Sequence, residues 1–274
     1  MNVNQPLLEV QDLVKSYGGR TVVNRVSYAV YPGEIIGLLG RNGAGKTTSF
    51  RITIGMIRAE GGTVRFNGQD VTDLPMYKRA QLGMGYLSQE PSIFQRLTVE
   101  QNLLAIFETI RTLSREQRRR QTRELMDQFG LTPLCRQQAR TLSGGERRKL
   151  EIARALVTDP RLILLDEPFS GVDPIAVEDL QREIRHLQRE RGISILLTDH
   201  NVRETLSVTN RSYIIDEGRV MRQGPPRELI NDELVRKTYL GSTFRGDEFD
   251  EQPSARASST GESQTDWSNP PPQP

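Results

Sequence analysis

Cysteine, histidine, long apolar runs and net charge are all scarce in this 274-residue chain. It has one cysteine, Cys135, and two histidines, His186 and His200. A single thiol excludes an intramolecular disulfide and fits a reducing cytosol. No nucleophile motif surrounds Cys135, which therefore reads as a structural thiol. The longest apolar runs, around Ile35–Leu39 and Leu162–Leu165, are strand-length and far short of the ~20 residues a membrane span needs. Attachment to a membrane therefore has to run through another protein. Residues 1–10 lack the basic-then-apolar layout of a secretory signal. Lys and Arg total 37 against 35 Asp and Glu, a formal charge of +2. No global field points towards nucleic acid or an anionic membrane, and no nucleic-acid partner is expected.

The remainder is an ordinary polar composition, long enough for one sizeable domain or two small ones. Leu8-Glu9-Val10 and the run from Val22 through Val26, Tyr28 and Val30 predict strands, broken by Gly18-Gly19 and Pro32-Gly33. Thr63–Phe66 predicts another, between Gly61-Gly62 and Asn67-Gly68. From about Thr98 to Gln138 the pattern turns helical, with Leu103, Ile106, Phe107 and Ile110 on one face. Arg115, Arg118, Arg119, Arg120 and Arg123 decorate the next helix beside Glu116 and Glu124, the pattern of a solvated surface. Strand patterns return at Leu162–Leu165 and Ile193–Leu197, flanking a helix lined by Val177, Leu180, Ile184 and Leu187. Alternating strands and helices imply a largely parallel sheet. Residues 245–274 are acidic and rich in serine and proline, a composition expected to be disordered.

The densest chemistry lies at Gly40-Arg41-Asn42-Gly43-Ala44-Gly45-Lys46-Thr47, which fits G-x-x-x-x-G-K-[ST] between an apolar strand and a helix. Glycines at these positions let backbone N–H groups turn inward as an anion-binding nest, to which the helix N-terminus adds its positive end. Lys46 reaches the β- and γ-phosphates of a bound nucleotide, and the Thr47 hydroxyl suits Mg²⁺. Such a site also needs an acidic residue at the end of a second apolar strand. Leu162-Ile163-Leu164-Leu165-Asp166-Glu167 supplies it: Asp166 on the metal side, and Glu167 just beyond to polarise a water. Leu142-Ser143-Gly144-Gly145-Glu146 precedes a helix and exposes hydroxyl and N–H groups at its positive end. The same residues make a capping box, Ser143 with Glu146. His200, expected at the carboxyl end of a strand, is the stronger catalytic candidate of the two histidines; His186 reads as helical, and either structural or exposed.

In this order and company the motifs resemble those of the ABC ATPases, for which Leu142-Ser143-Gly144-Gly145-Glu146 matches the defining signature. The resemblance implies a P-loop NTPase fold of α/β class: a RecA-like core with an antiparallel β subdomain and an inserted α-helical subdomain. One ATP-binding domain over about 6–244 is expected, the helical part near 90–157. The resemblance further implies ATP and Mg²⁺ as ligands. Tyr17 takes the place of the adenine-stacking aromatic, and Thr48 joins Gly40–Thr47 in the nucleotide site. Gln89 resembles the glutamine that touches Mg²⁺ and water, completing a metal set with Thr47 and Asp166. Ser170-Gly171-Val172-Asp173 resembles the D-loop, and His200 the switch histidine; Lys46, Gln89, Glu167 and His200 form the catalytic set. In the family two ATP molecules are sandwiched between two domains, the P-loop of one against the signature of the other. A single copy of each motif implies a pair, most simply of identical chains.

Over about Pro6 to Gly241 the likeness is strongest to the branch that powers lipopolysaccharide export, carried by Gly85–Phe94, Gly144–Arg154, Leu164–Pro174 and Thr198–Thr205. Importers of branched-chain amino acids are near relatives, and a soluble ABC ATPase outside transport is a remoter alternative. The likeness implies two integral membrane subunits as partners and a peripheral place on the cytoplasmic face of the inner membrane. Phe94, Arg96 and Leu97 would then line the groove for those subunits. Gln95 stands where the better-known exporters tend to carry arginine, and the 245–274 tail has no counterpart. No Asn-Lys-x-Asp segment for reading guanine is present.

Overall fold

The computed structural model describes residues 5–90 and 92–241; the tail from 245 lies outside the described residues, as does the boundary expected at 244. Two strands open it, β1 (Leu8–Tyr17) and β2 (Arg20–Val30), followed by β3 (Ile35–Leu39) and α1 (Lys46–Ile54). The chain continues through β4 (Gly61–Phe66), β5 (Gln69–Asp70), α2 (Met76–Gln81) and β6 (Met84–Leu87). Three helices come next: α3 (Val99–Phe107), α4 (Arg115–Gln128) and α5 (Gly144–Leu156). Then follow β7 (Leu162–Asp166), α6 (Pro174–Arg191), β8 (Ser194–Thr198), α7 (Val202–Val208), β9 (Arg211–Asp216), β10 (Arg219–Gly224) and α8 (Pro226–Asn231).

The strands form two sheets. One is antiparallel, in the order β2-β1-β4-β5; the other runs β10-β9-β3-β8-β7-β6 and is parallel except for β10. Every residue of β3, β7 and β8 is buried, as a sheet covered on both faces requires. Successive side chains alternate between two cores. Ile36, Leu38, Leu162, Leu164 and Leu196 pack with Phe50, Ile52 and Ile54 of α1 and with the small sheet. Ile35, Ile163, Leu165, Ile195 and Leu197 pack with Leu150 of α5 and with Val177, Leu180, Ile184 and Leu187 of α6. Each such aliphatic side chain stabilises the fold by about 1.5–3 kcal/mol relative to exposure.

The second core extends into the helical segment through Leu103 and Phe107 of α3 and Leu125 and Met126 of α4. All three helices α3, α4 and α5 open on a capping box, made by Thr98, Ser114 and Ser143 with Gln101, Gln117 and Glu146. The α4 arginines 115, 119, 120 and 123 are exposed, and Arg120 pairs with Glu124 at 3.4 Å. The helical pattern expected from Thr98 to Gln138 is broken into separate helices. Ile110 lies beyond the end of α3, yet packs with Ile106 against the core that holds Leu103 and Phe107, the side expected for it. Tight bonds from Thr109 N–H to Ile106 O and from Ile110 N–H to Phe107 O turn the chain out of the helix there, and the Arg118 guanidinium takes the Ile110 carbonyl.

One tie reaches the nucleotide-side helix from below. Arg79 of α2 is 1% exposed, and its guanidinium donates to the carbonyls of Ile52, Thr53, Thr72 and Leu74 at 2.6–2.9 Å. It thereby satisfies carbonyls at the end of α1 that have no further helical turn to accept from. Burial pushes its pKa down to about 10, so it remains charged at neutral pH.

Candidate active site

Parallel pairing brings the carboxyl ends of four strands to one edge of the large sheet. Leu38 pairs with Thr198, Asp166 with Thr198, and Leu87 with Leu165. The turns leaving β3, β6, β7 and β8 therefore meet, and they carry Gly40–Thr47, Gln89, Asp166-Glu167 and His200. Ligands bind at this edge of such sheets.

The first turn is glycine-dependent at two points. Gly40 has φ +149, and a Cβ there would lie 2.1 Å from the Ile215 carbonyl oxygen. Gly45 has φ +102, and its Cβ would meet the Val22 carbonyl oxygen at 2.4 Å. The second contact also places the β1–β2 hairpin, with Tyr17 half-exposed at the end of β1, beside the phosphate loop. Lys46 is the first residue of α1. Its Nζ donates to the carbonyls of Gly40 (2.6 Å) and Arg41 (3.1 Å), so the ammonium stands over the loop. Burial lowers its pKa, while Glu167 and Asp199 work in the other direction. Arg41, Asn42 and Gly43 are exposed at the mouth, Ala44 is buried, and Thr47 and Thr48 are half-buried in the first helical turn.

Asp166 ends β7 at 3% exposure. Its Oδ2 accepts from the Tyr86 hydroxyl at 3.3 Å, whereas Oδ1 is buried with no partner. Burial pushes this carboxyl above the usual carboxylate range, and burial beside it pushes the Tyr86 phenol up to about 12. A buried carboxylate oxygen without a donor is costly unless a cation meets it. The Thr47 hydroxyl and the Gln89 amide oxygen, expected to join Asp166, are oxygen donors of the kind Mg²⁺ takes.

Glu167 follows in the left-handed region at φ +46, a conformation that costs a residue with a side chain about 1 kcal/mol or more. Its N–H donates to the Thr198 carbonyl at 2.7 Å. Its Oε2 accepts from Gln89 Nε2 at 2.8 Å and lies 3.5 Å from His200 Nδ1. One carboxylate oxygen is thus shared by the two other side chains expected to act on water and phosphate. His200 is 54% exposed, open to a ligand at this edge. Just beyond, the Ser170 N–H donates to the Glu167 carbonyl at 3.3 Å, Gly171 takes φ +68, and Asp173 caps α6 through the Ala176 N–H. Ser170–Asp173 is therefore tied to Glu167 directly, with Val172 part-buried against the core.

Two groups of expected site residues lie apart. Ser143 and Glu146 exchange both bonds of the capping box, at 2.8 and 3.3 Å. Leu142 is buried, and a Cβ on Gly144 would meet nothing within 4 Å. Among the described residues no hydrogen bond or ion pair joins 142–146 to 40–48. Phe94 (43% exposed), Arg96 and Leu97 form a loop pinned by the buried Asn102, which accepts from Phe94 N–H and donates to its carbonyl.

Several contributors are not legible from motif matching. Arg148, Glu151 and Arg154, spaced along one face of α5, hold the chain on either side of Gln89, at Ser88 and Ser92. Arg148 Nη1 donates to the Ser88 carbonyl, Glu151 accepts from Ser92 N–H, and Arg154 donates to the Ser92 carbonyl while its guanidinium lies 4.5 Å from the centre of the Phe94 ring. Their three-residue spacing was the available signal. Asp199 and Tyr86 were missed as well; each sits at or next to a strand end, the position that singled out His200.

Residues 23–170 match the ABC transporter family. The chain is 49% identical over 239 residues to the lipopolysaccharide export system ATP-binding protein LptB of Haemophilus influenzae, covering 87% of this chain and 99% of that one. It is 50% identical over 238 residues to LptB of Escherichia coli K12, covering 87% and 98%. Among solved structures, the ADP conformation of MJ1267, an ATP-binding cassette of an ABC transporter, superposes with a TM-score of 0.78 at 26% identity, over 87% of this chain and all of that one. The cbiO1 protein of Clostridium perfringens, part of the cbiONQ transporter complex, gives 0.76 at 26% identity over 86% and 96%.

Proposed function

This chain belongs to the ABC transporter family, and we propose that it is the ATP-hydrolysing subunit of a lipopolysaccharide exporter, working as two copies beneath two membrane subunits. The observation that carries the ATPase reading is the convergence on one carboxylate: Glu167 Oε2, bonded to Gln89 and 3.5 Å from His200, beside the buried, unpartnered Asp166 Oδ1. The exporter reading is supported by near-50% identity to LptB over almost its whole length.

In this reading the phosphate loop and the N-terminus of α1 hold the triphosphate, and Lys46 Nζ neutralises the β- and γ-phosphate oxygens. The adenine stacks on Tyr17, a contact of about 1 kcal/mol beyond its buried area. Thr47, Gln89 and Asp166 would hold Mg²⁺, which would supply Lewis-acid stabilisation of the negative charge on the phosphates. Glu167 orients the attacking water and takes its proton, with Gln89 fixing the carboxylate; general-base assistance of this kind contributes about 10²–10⁴-fold. His200 donates towards the γ-phosphate as it departs. The products are ADP and phosphate. The tip of α5, with the Ser143 hydroxyl and the N–H groups of Gly144 and Gly145, stabilises charge on the γ-phosphate of the second copy. The separation of 142–146 from the P-loop of the same chain supports action between copies. Phe94, Arg96 and Leu97, held through Asn102 and Arg154, form the groove for the membrane subunits. No helix among the described residues is long and apolar enough to cross a membrane, so attachment to the cytoplasmic face of the inner membrane runs through those subunits.

The test is affinity purification of the tagged full chain from detergent-solubilised membranes. Co-purification of the two membrane subunits of lipopolysaccharide export is expected. Recovery of amino-acid permease subunits in their place would move the chain to the importer branch, and recovery of neither would remove the transport assignment.

A further inference from the structure

Asp199 is the one fully buried carboxylate at the catalytic edge that the mechanism above leaves without a task. It is 0% exposed. Its Oδ2 accepts from the Phe169 N–H at 2.8 Å and its Oδ1 from the Asn201 N–H at 2.9 Å, while Oδ1 also lies 3.5 Å from His200 Nδ1. The Asn201 bond is a local turn, two residues along. The Phe169 bond is not local: it crosses 30 residues to the loop that leaves β7.

That crossing occurs where the sheet has run out. The last paired residues of β7 and β8 are Asp166 and Thr198, and the bond from Glu167 N–H to Thr198 O is the final main-chain tie. Beyond it the strands give way to the Glu167 and His200 loops. The Asp199 side chain supplies one more rung there, two residues past Glu167. Glu167 is thereby held on both sides, by its own N–H and by that of Phe169, in a left-handed conformation that a free loop would relax. Both partners of Asp199 are donors. A side chain that only accepts, with two oxygens, can serve both; an asparagine would turn its NH₂ towards one of the N–H groups.

We propose that Asp199 is a positioning residue for hydrolysis: its carboxylate clasps the loop carrying Glu167 to the loop carrying His200 and holds the base and the switch histidine against one γ-phosphate. The proposal rests on the assignment of Glu167 and His200 to those roles. Among the described residues Asp199 makes no hydrogen bond or ion pair to 40–48, so its loss should move turnover rather than nucleotide binding.

The test compares wild-type full chain, Asp199→Asn, His200→Ala, the double variant Asp199→Asn/His200→Ala, and Glu167→Gln, each measured for turnover and for binding of a fluorescent ATP analogue. Displacing a catalytic group by about an ångström costs on the order of 10²-fold, so Asp199→Asn should lower kcat by about 10- to 100-fold with analogue affinity unchanged. The double variant should be no slower than the slower of its two parents, because both changes disable one unit. Wild-type kcat in Asp199→Asn, equal losses of kcat and affinity, or multiplied losses in the double variant would each overturn the proposal. If Asp199→Asn does not fold, amide hydrogen exchange on the wild-type chain decides. Protected Phe169 and Asn201 amides support the clasp, and exchange at exposed-loop rates refutes it. Glu167→Gln separates the two levels: if it is slow while Asp199→Asn is not, only the clasp fails, and if it turns over normally the reading of Glu167 fails.

Discussion

Lys46 shows how much a single side chain is asked to do at this edge. Its ammonium lies 2.6 Å from the Gly40 carbonyl oxygen, buried, with Glu167 and Asp199 near enough to favour its charge. A charge-assisted hydrogen bond to phosphate contributes about 1.5–3 kcal/mol. Lys46→Ala should therefore weaken ATP binding by about 10- to 100-fold, read by titration with a fluorescent analogue. Wild-type affinity in that variant would remove Lys46 from the phosphate site. At this scale the sequence was most legible where a motif demands a residue type at one spacing: Gly40 and Gly45 take positive φ against the backbone carbonyls of Ile215 and Val22, and Lys46 follows at a fixed offset. Asp199 and Tyr86 escaped because their partners, Phe169 N–H and Asp166 Oδ2, are brought to them by strand pairing rather than by neighbourhood in the chain.

The elements were legible where one periodicity ran uninterrupted. Val177, Leu180, Ile184 and Leu187 do line one side of α6, and Ser143 with Glu146 does cap α5. Ile110 keeps to the apolar side with Leu103 and Phe107, but from the turn after α3, whose last bonds tighten before reaching it, a detail that apolar spacing does not register. Arg79 is another element-scale feature hidden from pattern reading, since an arginine on a short helix looks exposed until the end of α1 packs over it. Arg79→Met keeps an apolar stem but strips donors from four buried or half-buried carbonyls, at a cost of about 3 kcal/mol. For a chain of this size the melting temperature should fall by about 5–10 °C. An unchanged melting curve, followed by circular dichroism, would show that water replaces the guanidinium at no cost.

For the whole molecule, the decisive question is whether the signature and the P-loop of one chain cooperate with each other or with those of a second copy. The signature residues 142–146 cap α5 and make no hydrogen bond to the P-loop of the same chain among the described residues. In the proposed mechanism, turnover therefore requires a second copy. Glu167→Gln should still bind ATP, accumulate as a dimer when ATP is added, and hydrolyse at least ~10²-fold more slowly. Light scattering with and without ATP reads the dimer directly. A variant that stays monomeric at saturating ATP would contradict the sandwich arrangement, and so would wild-type turnover per chain that is independent of protein concentration.

Local structure was legible in the chain alone: a glycine-dependent turn at Gly40–Thr47, carboxylates at the end of an apolar strand, a capped serine-glycine helix tip, and a layered α/β fold. Each depends on residues adjacent in sequence, where spacing and backbone preference suffice. Only the folded molecule decided which of these meet. The register of β3, β6, β7 and β8 brings Gln89, Glu167 and His200 onto one oxygen, leaves Asp166 Oδ1 facing inward without a partner, and sets Asp199 across two loops 30 residues apart. Parallel strands join residues remote in the chain, and the positions of their ends are set by packing on both faces of the sheet, which no local pattern encodes.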